Sequence, residues 1–101
     1  MSRMISIVNK PRVLDNVIWR WDGERDQIIV LSKEGLALPL ILNPTSARIF
    51  SLCNGKNTLE DIARNLCEEF GLDDLKMVLN DVQEQVKYFA DKGIVGTGHC
   101  P

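Results

Sequence analysis

Two periods of apolar residues divide the chain. Up to about Leu42 the apolar positions come in short β-branched and aromatic runs separated by turn residues. From Pro44 onward they recur at helical spacing between caps and glycines. Val13 to Asp22 reads as a first strand, with Val17, Ile18, Trp19 and Trp21 supplying strand-forming side chains. Trp19 and Trp21 fall on one face, because side chains alternate along a strand. Large aromatics there serve either to cover one side of a small sheet or as a ligand platform. Asp22-Gly23-Glu24-Arg25-Asp26 is a hairpin turn, and Gln27 to Leu31 is the second strand. Ser32-Lys33-Glu34-Gly35 turns the chain into a third strand, Leu36 to Leu42. Short connections make these strands an antiparallel meander.

Asn43 stands where a helix N-cap belongs and Pro44 at the first helical position. That helix runs to about Cys53, with Ala47, Ile49, Phe50 and Leu52 as its apolar residues and Asn54-Gly55 as a left-handed stop. Thr58 and Asp61 form a variant capping box. The helix after them reaches Phe70, stops at Gly71, and presents Leu59, Ile62, Ala63, Leu66, Cys67 and Phe70 as one stripe. Asp73 or Asp74 caps a third helix that extends to about Lys92 and ends at Gly93. Leu75, Leu79, Val82, Val86 and Phe89 share a narrow arc of it. Val78 and Gln85 lie on one shoulder, and Asp81 lies beyond them. Ile94-Val95 reads as a short closing strand.

The expected fold is therefore α+β and winged helix-turn-helix-like: a three-stranded antiparallel meander followed by three helices. At 101 residues it is one domain. Residues 1–10 read as a flexible N-terminal arm, 11–95 as the folded domain, and 96–101 as a loose C-terminal tail. Lys10-Pro11 marks the entry to structure.

Composition narrows the function. An apolar fraction of 45% with 26% charged residues is ordinary for a globular protein. The net charge of -2 opposes nonspecific nucleic-acid or anionic-membrane binding. No apolar run reaches the length of a membrane span. The cysteines, Cys53, Cys67 and Cys100, are odd in number and fit no zinc or redox spacing. Cys53 and Cys67 fall on apolar faces and read as buried free thiols in a reducing, cytoplasmic compartment. The sole histidine, His99, sits beside Cys100 in the tail without further metal ligands. No phosphate loop, catalytic carboxylate pair or nucleophilic triad is present, so neither catalysis nor a cofactor is expected.

A winged layout often serves DNA binding, and a DNA-binding regulator is the alternative reading. The charges oppose it. Glu60, Asp61, Glu68 and Glu69 load the second helix, and Asp73, Asp74, Asp81, Glu84 and Asp91 load the third. The third strand points elsewhere. It is an edge by topology, and Pro39 within it cannot donate to a ladder. That proline either blunts the edge or accompanies one left open for a partner strand.

One block carries a family resemblance. Leu42-Asn43-Pro44-Thr45-Ser46-Ala47-Arg48-Ile49-Phe50, Leu52-Cys53-Asn54-Gly55 and Thr58-Leu59-Glu60-Asp61-Ile62 resemble the PqqD family, the peptide-recognition element of ribosomally made, modified peptides. Asn54 replaces the aspartate commoner there. Asp81-Val82, Phe89 and Gly93-Ile94-Val95 are similar to the family's closing segment, so the resemblance spans about Pro11 to Val95.

The resemblance implies a non-catalytic peptide chaperone. Such a protein binds the leader of a precursor peptide as a strand added to the third strand, against the third helix. It then presents the peptide to a modifying enzyme, often of the radical S-adenosylmethionine type, as in pyrroloquinoline quinone or lasso-peptide biosynthesis. Strand addition suits an apolar edge beside an amphipathic helix, with backbone bonds for affinity and side-chain pockets for register. Carried onto this chain, the peptide-binding residues would be Leu36, Ala37, Leu38, Leu40, Ile41 and Leu42 on the strand. On the helix they would be Val78, Asp81, Val82, Gln85 and Phe89, with Asp81 available to a basic leader residue. The open edge also offers a route to a homodimer.

Overall fold

The computed structural model describes residues 10–15, 17–32 and 39–96. The order is β1 (Arg12–Val13), β2 (Ile18–Asp22), β3 (Gln27–Ser32), β4 (Leu40–Leu42), α1 (Pro44–Ser51), α2 (Leu59–Phe70), α3 (Leu75–Asp91) and β5 (Val95–Gly96). The expected meander and three helices are present, and β2, β3 and β4 form an antiparallel sheet in that order.

The first expected strand is in fact two. Arg12–Val13 pairs with Val95–Gly96 in a separate two-stranded ribbon, and only Ile18–Asp22 joins the meander. Between them Val17 N–H donates to the Leu14 carbonyl at 3.1 Å, and Val17 turns into the core. The ribbon also corrects the expected closing strand by one residue: Ile94 is buried, and Val95–Gly96 makes the pairing.

Pro11, fully buried, is the entry point that its position predicts. Its carbonyl accepts from Gly55 N–H at 2.9 Å. That contact revises the role of Gly55. Helix α1 stops earlier, at Leu52, whose own backbone is right-handed. The left-handed Gly55 (φ 81°) instead lets the chain cross the Arg12 segment, where a Cβ would lie 3.3 Å from Arg12 Cδ.

Local chemistry explains the helix starts. Asn43 Oδ1 accepts from Ser46 N–H at 2.9 Å with Pro44 in the first turn. Thr58 and Asp61 make a reciprocal capping box: Thr58 Oγ1 accepts from Asp61 N–H and Asp61 Oδ2 from Thr58 N–H. Asp74, rather than Asp73, caps α3 through Met77 N–H at 3.1 Å. Gly71 (φ 64°) closes α2 in the left-handed conformation.

The helices cover one face of the sheet. Ile28, Val30 and Leu42 from the sheet meet Ala47, Ile49 and Phe50 of α1, Ile62 and Leu66 of α2, and Val82, Val86 and Phe89 of α3. At the centre, Phe50 makes edge-to-face contacts with Trp19 (5.3 Å between centroids) and Phe89 (5.6 Å). Phe70 departs from its expected place: at the last turn of α2 it is exposed, while Leu66 and Cys67 make the packing.

Candidate functional site

Strand β4 is one edge of the sheet. Leu42, Ile41 and Leu40 pair with Ile28, Ile29 and Val30, and no strand among the described residues pairs on the other side. Alternation sends Leu42 into the core and leaves Leu40 half-buried on the helix side, while Ile41 points to the opposite face and is 66% exposed. Pro39, exposed, immediately precedes the strand. Leu36, Ala37 and Leu38 lie outside the described residues.

A single hydrogen bond ties one side of helix α3 to the start of α1, where β4 ends. Ser46 Oγ, at the start of α1 just past β4, donates to Gln85 Oε1 at 2.8 Å. Asn43, Thr45 and Ser46 on one side and Asp81, Glu84 and Gln85 on the other line a shallow cleft of about 210 Å³. Asp81 is exposed one turn before Gln85. The side chains of Val82 and Phe89 are fully buried in the core. Val78, placed on a shoulder by periodicity, is also core at 4% exposure.

Sequence reasoning missed Ser46 at this cleft, and Tyr88 and Lys92 further along the same side of α3. Tyr88 is 41% exposed beside Phe89, and Lys92 Nζ stands 5.6 Å from the Tyr88 ring centroid. A signal for two of them existed. Asp81, Gln85, Tyr88 and Lys92 recur at i, i+4, i+7 and i+11, one stripe of a helix.

The other edge, β2, is closed on its helix side. Trp19 leans on Phe50, and Arg48 lies over the Trp21 ring at 5.6 Å from its centroid. Arg48 Nε approaches Glu69 Oε2 of α2 to 2.8 Å. Its N–H is not aimed at that oxygen, so the contact is a charge pairing rather than an aligned hydrogen bond. The tryptophans thus cover the rim of the sheet, each a little over one-third exposed.

The remaining candidate chemistry is quiet. Burial pushes the Cys53 thiol up to about 12, and its Sγ donates to the Ile49 carbonyl at 3.2 Å. Cys67 is a half-buried free thiol, whereas His99 and Cys100 lie outside the described residues. Among the described residues no three or more His, Cys, Asp or Glu side chains are grouped to hold a metal ion, and no helix is long and apolar enough to cross a membrane. A larger open cleft of about 550 Å³, lined by Arg64, Asn65, Glu68 and Leu72 among others, sits between α2 and the start of α3.

The fold is a winged-helix-like α+β module whose β4 edge has no strand partner among the described residues. The model of the family described as coenzyme PQQ synthesis protein D (PqqD) matches residues 28–95, and the chain belongs to that family. No curated protein sequence matches it.

Two solved structures share the fold. One is TbiB1 in complex with the TbiA(beta) leader peptide, 21% identical, covering 89% of this chain and 99% of that one, with a TM-score of 0.73. The other is the solution structure of the PqqD truncation of Methylobacterium extorquens PqqCD, described as a functional and stand-alone RiPP recognition element. It is 23% identical and covers 85% of this chain and 87% of that one, with a TM-score of 0.67.

Proposed function

We propose that this chain is a peptide chaperone that takes the leader region of a ribosomally made precursor as an added strand on β4 and presents it to a separate modifying enzyme. A radical S-adenosylmethionine protein is the partner class that PqqD membership favours. The observation that carries the reading is the β4 edge, unpaired among the described residues, with the Gln85 side of α3 tied to Ser46 at its end. Leu40 offers a half-buried side-chain contact next to backbone groups that a fourth strand would satisfy. The leader peptide named in the TbiB1 structure supports leader binding by this fold. Acidic α2 and α3 make duplex DNA a poor match for this surface.

The test is amide shift mapping of the labelled protein during titration with the leader of a precursor encoded beside it. Shifts concentrated on Leu40–Leu42 and on Gln85, Tyr88 and Lys92 are expected. A titration that leaves both segments unmoved would refute the reading. The same edge gives self-association a route, so leader binding should dissolve any dimer made through β4.

A further inference from the structure

The cleft at Asn43 is lined mainly by polar side chains, and the direction of α3 past β4 follows from three contacts. Gln85 is tied to Ser46, just past the C-terminal end of β4. One turn further along α3, Phe89 packs on Phe50, and Phe50 packs on Trp19. Trp19 lies in the cross-strand row of Val30 and Leu40, the start of β4. Helix α3 therefore runs antiparallel to β4. The exposed Asp81 lines the cleft at Asn43, and on that heading the exposed Lys92, over the Tyr88 ring, lies toward the opposite end of the strand.

We infer that Asp81 and Lys92 select the direction and register of the bound peptide by the order of its charges. The inference rests on the strand-addition reading above. Antiparallel addition continues the meander and gives the better ladder. It puts the N-terminal side of the peptide beside Asp81 and the C-terminal side beside Lys92. Those two residues are eleven positions apart, about 16 Å along a helix, which is the length of about five strand residues. Side chains on one face of a strand alternate, so the preferred peptide carries Lys or Arg and then, four or six residues later, Asp or Glu. Gln85 and Tyr88 lie between these charges on the same stripe of the helix. A peptide entering in the reverse direction would set like charges together at both ends, a penalty that acts on the wrong register only.

The probe is a displayed library of random fifteen-residue peptides, selected separately on the full chain and on the Asp81→Lys/Lys92→Glu double variant. Both substitutions are at exposed positions, and matching amide spectra would show that the fold is kept. The wild type is expected to enrich basic-then-acidic peptides, and the double variant acidic-then-basic ones. Peptides selected on the wild type should bind the double variant about tenfold more weakly, the scale of two partly exposed charge pairs. Enriched peptides that shift the β4 amides but show no charge order, or keep the same order on both proteins, would overturn the inference and leave the proposed function standing. Failure to enrich any peptide that shifts β4 would overturn both.

Discussion

The sheet has two edges, and they are treated differently. On β2 the helix side is shut: Trp19 leans on Phe50, and Arg48 lies over Trp21 and reaches Glu69 of α2. A register shift between Ile18 and Trp19 further breaks that edge as a template. On β4 no side chain of α1 plays the part of Arg48. Ser46, on the other side of α1, reaches to α3 rather than to the strand, so it positions a wall without covering the edge. The lesson is that one short helix gives the two edges different neighbours. One flank carries a long cation to Trp21 of β2, and the other a small hydroxyl to Gln85 of α3.

Substitutions can break that comparison, starting with its shared support. Phe50→Ala removes the ring between Trp19 and Phe89 and should cost about 3–5 kcal/mol, a large part of the stability of a domain this size. Urea unfolding would read the loss, and both edges should fail together. Val78→Asp buries a carboxylate in the core and should destabilise by several kcal/mol, so it reports on folding rather than on the groove.

Smaller changes separate the edges. Ser46→Ala leaves the half-buried Gln85 amide without its partner and should cost about 1 kcal/mol. Peptide affinity should drop with it, because the α3 wall loses its tether. Arg48→Ala should cost up to about 1 kcal/mol, since its ion pair is partly exposed. Titration calorimetry should show peptide binding at β4 unchanged. Equal losses of affinity from both variants would erase the distinction between the edges.

The smallest effect lies on neither edge. The hydrogen bonds from Thr58, backbone first and side chain second, hold the Asp61 carboxyl below the usual aspartate range. A depressed folded value means that the stabilisation is fully present above the unfolded value of about 4 and is lost as pH falls through the lower folded one. Asp61→Asn should flatten that acid limb of the stability profile. Peptide binding above pH 5 should be unaffected.

Much of this was legible in the chain. Local chemistry sufficed wherever a few adjacent residues satisfy one another. Asn43-Pro44, Thr58 with Asp61, Asp74 and Gly71 announced the helix boundaries because a cap bonds within three or four residues of itself. The edge status of β4 followed from counting strands in a meander. The family resemblance rested on the same local signals. Periodicity was weaker at the margins. It placed Val78 on a shoulder and Phe70 in a stripe, because a wheel knows the angle of a residue but not the distance to the neighbouring element.

What the sequence determined by itself, then, was the set of elements, their order, the meander and the helical faces. These depend on caps, turn residues and spacing, all short-range. Tertiary structure alone decided the rest. It split Val13–Asp22 between two sheets, since Arg12–Val13 finds its partner more than eighty residues away in Val95–Gly96. It recruited Gly55 to a chain crossing rather than a helix stop. It joined Ser46 to Gln85 and Arg48 to Trp21, and so gave the two edges different neighbours. Each of these contacts is between residues distant in the chain, where no local preference can announce the partner.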